Sequence, residues 1–157
     1  MFVIQGLDPA SFTRYFTLSD AELAAKGARR VHADGPGYPC RVSLVDAAPG
    51  DELVLLTYAH HDVASPYRAS GPIYVRRAAA MRAEDIDAIP PMLATRLLSV
   101  RAYDAAGDLE MADVVPGAEL AGQIARMFDE PAVAYLHVHN ARPGCFVARV
   151  NRHPGAF

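Results

Sequence analysis

The 157-residue chain reads as an α+β protein: a largely antiparallel β-sheet with two main helices packed on it. Two observations predict this. Strand-like runs outnumber segments of helical period, and most links between the runs are shorter than the dozen or more residues a parallel crossover needs. No repeat, linker or low-complexity segment divides the sequence, so one compact domain over residues 1–157 is expected.

Phe2 to Leu7 opens as a short strand running into a Pro-containing loop. Ser19 and Glu22 then match a capping box, Leu18 and Leu23 are spaced as the accompanying hydrophobic staple, and Gly27 stands where a helix stops. That spacing predicts a helix over Asp20 to Lys26. Arg29 to Ala33 reads as a brief strand, and the Pro and Gly density of DGPGYPC forbids regular structure in the next loop. Strands are expected at Cys40 to Val45, at Glu52 to His60 and at Ile73 to Arg77. The continuous apolar run Leu53 to Leu56 marks the middle one as buried. Ala83 to Thr95 carries a helical turn or two, broken by Pro90 and Pro91. Leu97 to Tyr103 and Leu109 to Val115 form a hairpin turning at Asp104, Gly107 and Asp108. A helix over Ala118 to Phe128 follows, with Leu120, Ile124, Met127 and Phe128 as its buried stripe.

The last hairpin, within YLHVHNARPGCFVARVNR, concentrates reactive side chains. Side chains alternate faces along a strand, so Leu136 and Val138 oppose Tyr135, His137 and His139. On the second arm the apolar set is Phe146, Ala148 and Val150, against Cys145, Val147, Arg149 and Asn151. Closure on Asn140 to Gly144 pairs His139 with Cys145, His137 with Val147 and Tyr135 with Arg149, at Cβ separations of roughly 5 Å.

Three readings of that polar face compete. His137 and His139 are spaced to converge on one metal ion, for which the cofactor would be a divalent transition metal such as zinc, copper, nickel or iron. Cys145 and either His60 or His61 would complete the shell. The His-x-His pair resembles the cupin metal motif, but Asn140, Ala141, Arg142 and Pro143 stand where that motif needs a carboxylate. In the second reading Cys145 is a nucleophile with His139 as its base, the thiolate being favoured by Arg149. In the third, the histidines and the cysteine are structural members of a buried network.

Arginines form a second pattern: Arg41, Arg76, Arg101 and Arg149 at strand positions, and Arg68 in the SPYRASGP loop. Converging guanidinium groups make an anion site, to which Tyr67, Tyr74, Tyr103 and Tyr135 would add hydroxyls. Arg41, Arg68, Arg101, Arg149, Tyr67 and Tyr135 are the candidate ligand-binding residues, for a small anionic molecule. The ordinary alternative is that such arginines pair with surface acids.

Composition narrows the partners. Hydrophobic content of 52% and charged content of 21% belong to a globular chain. A formal net charge of −3 gives no case for a nucleic acid or an anionic membrane. There is no 18-residue apolar run, and the opening MFVIQGLDPASF has no basic region before a long apolar core. A cytoplasmic location is the expectation, with Cys40 and Cys145 as reduced thiols. A sheet face left uncovered would pair with a second copy as a homodimer.

The combination of GPGYPCRVSL, SPYRASGPIYVR, LSVRAYDAAG and YLHVHNARPGCF resembles the bacterial family called Domain of Unknown Function 1203. The resemblance runs from LSDAELAAKGARR to GCFVARVNR, nearly the whole chain. It implies a single bacterial domain and brings no catalytic or binding residue with it. The sequence thus points to a pocket beside the C-terminal hairpin, either ligand-binding with Cys/His or metal chemistry, or a non-catalytic structural or oligomeric domain.

Overall fold

The computed structural model describes residues 1–155 and holds two antiparallel sheets. The larger has six strands in the order β5-β1-β9-β8-β6-β7: Glu84–Ile86, Phe2–Gln5, Phe146–Arg152, Tyr135–Asn140, Leu97–Tyr103 and Leu109–Pro116. The smaller has three, β2 (Arg29–His32), β3 (Glu52–His61) and β4 (Ala69–Arg76). The expected α+β class with antiparallel pairing is observed, but as two sheets rather than one.

The main core lies on one face of the six-stranded sheet. Ile4, Leu98, Val100, Ala102, Leu136, Val138 and Val150 pack there against Leu120, Ile124 and Met127 of α3 (Leu120–Phe128). Those three helix residues recur at i, i+4 and i+7, the spacing of one apolar stripe. A second core joins β3 and β4 to α1 (Asp20–Ala25) through Val54, Leu56, Ile73, Val75 and Leu23. The capping box at α1 forms as its sequence dictates: the Glu22 amide donates to Ser19 Oγ at 3.1 Å and the Ser19 amide to Glu22 Oε2 at 2.7 Å. Of the two helices expected, α3 has nine residues and α1 only six.

Two segments differ from expectation. Cys40 to Val45 is not a strand, because its backbone is shared among three neighbours and builds no ladder. Arg41 N donates to Tyr74 O, Leu7 N donates to Arg41 O, and Ala83 N donates to Val42 O. Leu44 turns the segment back with φ at 52°. Gly6 makes that crossing feasible: a Cβ there would stand 1.9 Å from the Val42 carbonyl oxygen. Between Ala83 and Thr95 the chain gives strand β5 on the edge of β1, then one helical turn, α2 (Pro91–Ala94). Pro91 begins that turn instead of breaking it, since the first helical position needs no N–H. No helix among the described residues is long and apolar enough to cross a membrane.

Candidate functional site

The face of the six-stranded sheet opposite α3 carries the histidines. On β8, Tyr135, His137 and His139 alternate with Leu136 and Val138, which point into the main core. Ser99, Arg101 and Tyr103 of β6 pair with His139, His137 and Tyr135, so they share that face. His137 is thereby flanked by Arg101 on one neighbouring strand and Arg149 on the other.

The C-terminal hairpin differs from its expected register. Tyr135 pairs with Asn151, His137 with Arg149 and Val138 with Ala148, but His139 pairs with Phe146, leaving Val147 as an extra residue. This bulge sends Val147 and Ala148 both into the main core. It turns Phe146, expected in the core, onto the histidine face, where its ring stacks on His60 at 5.2 Å and meets His137 at 5.0 Å. His139 therefore faces Phe146, and the expected cross-strand pair with Cys145 is not formed. Cys145 is half-buried in the turn, with Sγ 4.0 Å from the Pro143 carbonyl oxygen.

A second bulge supplies the remaining imidazoles. On β3 the pairing passes from Tyr58 with Gly71 to His61 with Ala69, three steps on one strand against two on the other. A period of two would send adjacent residues to opposite faces. The extra residue instead brings both rings to β8: His60 lies 5.2 Å from His139 and 6.2 Å from His137, and His61 lies 5.0 Å from His137.

The hydrogen bonds separate the four histidines. His61 Nδ1 is 2.8 Å from the Tyr67 carbonyl oxygen, which only accepts, so Nδ1 carries the proton. Its Nε2 then accepts from the Tyr135 hydroxyl at 2.6 Å, and both ring nitrogens are satisfied. His139 Nδ1 likewise donates to Gly144 O at 2.9 Å, which leaves Nε2 as a lone pair. Gly144, with φ at 81°, closes the turn that presents this carbonyl. His139 Nε2, His60 Nδ1 and His137 Nδ1 are buried without a partner. Their ligand atoms are not drawn together, for no group of three His, Cys, Asp or Glu among the described residues is placed to hold a metal ion as it stands.

Burial is the main force on these rings, and it disfavours the imidazolium. It pushes His137 down to about 2, helped by His61, His139 and Arg149, and His139 down to about 4, against the Gly144 hydrogen bond that raises it. His60 is lowered by burial, His61 and Arg101, against a hydrogen bond with the Tyr58 backbone that raises it. Tyr103 and Tyr135 are pushed up by burial, with Arg101 and Arg149 respectively opposing.

Of the fourteen arginines, six form ion pairs among the described residues. Arg30, Arg68, Arg76, Arg77, Arg82 and Arg96 all pair with Asp or Glu; Arg68 bonds Asp62 at 3.0 Å on the open surface. Arg41, Arg101 and Arg149 have no carboxylate partner among the described residues. Arg41 is 2% exposed and donates through Nε to Phe146 O at 2.8 Å and through Nη1 to Pro39 O at 2.5 Å. Its burial lowers it to about 10, still charged at neutral pH. Arg101 donates to Ser99 Oγ at 3.3 Å, and Arg149 lies 3.9 Å over the Tyr135 ring while donating to Asn151 Oδ1. Tyr67 contributes its backbone carbonyl, its side chain being exposed.

The two best-formed cavities hold none of these histidines. One of about 280 Å³ sits beside the hairpin turn between Gly37, Pro39, Arg96 and Asn140 to Pro143. Another, of about 500 Å³, lies against Phe12, Phe16, Arg76 and Arg77.

Residues 37–152 match the family model described as "Protein of unknown function (DUF1203)". The chain belongs to the DUF1203 family. Every arginine and histidine of the cluster falls inside the matched span, so the site is built from family sequence and not from an appended segment. No curated protein and no solved structure matches the chain.

The sequence alone located Tyr135, His137, His139 and Arg149 on one face of the hairpin; the structure keeps them together and adds Arg101 from β6. The sequence missed Phe146 and the joint presence of His60 and His61. Both depend on bulges, for which these segments carry no Gly signal.

Proposed function

We propose that this DUF1203 protein binds a small oxyanion, a carboxylate or phosphate, on the histidine face. The observation that carries the reading is the sorting of its arginines. Six sit in ion pairs; Arg14, Arg29, Arg126, Arg142 and Arg152 also lack carboxylates among the described residues, but Arg41, Arg101 and Arg149 lack them beside the histidines. Arg41 is buried and Arg101 half-buried, where a cation without a counter-charge is costly and an anionic ligand removes that cost; Arg149 is exposed and adds its charge at the rim.

The neutral histidines add to the argument. Arg101 and Arg149 flank His137 across the sheet, and neither forms an ion pair among the described residues. A planar guanidinium offers the two parallel donors that a carboxylate or phosphate accepts. Tyr103 and Tyr135, kept protonated by burial, line the same face.

Thermal unfolding in inorganic phosphate, acetate or citrate tests the reading. At 100 times Kd a bound anion stabilises by about 2.7 kcal/mol, which for a chain of this size raises Tm by about 5–10 °C. Arg101→Met removes a charge while keeping an unbranched stem, and is expected to abolish the rise. If none of the anions shifts Tm, or Arg101→Met and Arg149→Met respond like the parent, the reading is wrong.

A further inference from the structure

We infer that His60 Nδ1, His137 Nδ1 and His139 Nε2 form a three-nitrogen site for a divalent transition-metal ion, zinc first, with a fourth position left for an anionic ligand. The inference rests on the three unpartnered nitrogens and stands whether or not a free oxyanion binds to the metal-free protein.

His137 and His139 are each 1% exposed, and the nitrogens in question are sealed from solvent. A buried nitrogen without a partner destabilises the fold, and three in one cluster weigh heavily on a single domain. His139 also carries the arrangement that metal-bound histidines commonly show: one ring N–H held by a backbone carbonyl, here Gly144 O at 2.9 Å, and the other nitrogen free as a lone pair. His61 serves as the internal contrast. Its two nitrogens are both taken, by Tyr67 O and the Tyr135 hydroxyl, so it supports the cluster without joining the site.

The rings stand near the spacing that ligation needs, and the three nitrogens must still turn toward one point. Zinc binds imidazole nitrogen at about 2.0–2.1 Å, which at tetrahedral angles sets ring centroids roughly 5 Å apart. His60 and His139 are already 5.2 Å apart. His137 stands 6.2 Å from His60 and 6.3 Å from His139, so ligation draws its ring inward by roughly 1 Å.

The chemistry of the donor set follows. The neutral ring is the form that ligates, and the Gly144 carbonyl holds His139 in the tautomer with Nε2 as its lone pair. Imidazole suits zinc, copper, nickel and iron. Three neutral ligands leave the ion's double charge intact beside Arg41, Arg101 and Arg149, and that field selects hydroxide or an oxyanion for the fourth position.

The test is zinc loading of the full chain followed by dialysis, elemental analysis and zinc titration, with cobalt(II) as a spectroscopic substitute. We expect about one zinc per chain and the intense visible absorption of four-coordinate cobalt. His60→Gln, at a half-buried position, should weaken zinc binding by about 100-fold or more, and His61→Gln should retain stoichiometric zinc. Zinc that dialyses away from the parent, or a cobalt spectrum of the weak octahedral kind, overturns the inference without reference to any variant. So does equal zinc retention by the parent and a folded His60→Gln protein. An anion-induced rise in Tm in metal-free protein bears only on the oxyanion reading, so the two proposals fail separately.

Discussion

Tyr135 is the side chain on which the histidine face depends most directly, and removing its hydroxyl isolates one interaction. In Tyr135→Phe the ring still packs against Tyr103, whose centroid is 5.5 Å away, and still lies under the Arg149 guanidinium. What is lost is the 2.6 Å bond donated to His61 Nε2. His61 is 2% exposed, and its Nδ1 proton is committed to Tyr67 O, so Nε2 becomes a buried acceptor without a donor. The cost is about 1–3 kcal/mol. For a chain of this size each kcal/mol moves Tm by about 2–4 °C, so a fall of about 4–8 °C is expected for a mid-range cost. A double-mutant cycle with His61→Phe separates the bond from packing, and a coupling of about 1 kcal/mol or more is expected between contacting residues. A Tm within 1 °C of the parent (about 0.3 kcal/mol), or additive losses in the cycle, would refute the tautomer argument on which the His61 assignment rests.

In metal-free protein, His137 and His139 protonate at about 2 and about 4 in the fold but at about 6.5 when unfolded. Depressed folded values give stability that is present above about pH 6.5 and lost as the pH falls. Between about pH 6.5 and 4.5 the two together should remove about 4 kcal/mol, read from urea midpoints with chelator present. A midpoint that stays level over that interval would show that the rings are not held neutral. Gly6→Ala should destabilise by more than about 3 kcal/mol, because its Cβ would lie 1.9 Å from backbone oxygen at Val42; chemical denaturation checks this, and a neutral result would mean that the Arg41 segment yields easily. Cys40 is fully buried and Cys145 half-buried, so peptide mapping after native alkylation should find label on Cys145 alone. Label on Cys40 before unfolding would place that loop outside the second core.

Much of the fold was legible because local rules and tertiary packing agree. The Ser19–Glu22 box caps α1, the Leu120, Ile124 and Met127 stripe buries α3, and the Leu97 to Tyr103 strand pairs with β7 as its alternation requires up to Ala102, where a bulge precedes the turn. Cys40 to Val45 failed because alternation of buried residues also suits a segment whose hydrogen bonds go to three different neighbours. The arginines could not be sorted in sequence: Arg76 and Arg101 occupy similar strand contexts, yet only Arg76 meets an acid, Asp51 at 3.2 Å.

The sequence by itself determined the strand character of the last hairpin and the placing of Tyr135, His137 and His139 on one face, because a period of two is a local property of the backbone. Tertiary structure decided the rest of the site. A bulge is a choice of register between two strands, and its energy depends on what each face will pack against. The β9 bulge buries both Val147 and Ala148 and releases Phe146 to the histidines; the β3 bulge puts His60 and His61 side by side. Which imidazole nitrogens are left without a partner follows from carbonyls at Tyr67 and Gly144, presented by loops whose positions only the folded chain defines.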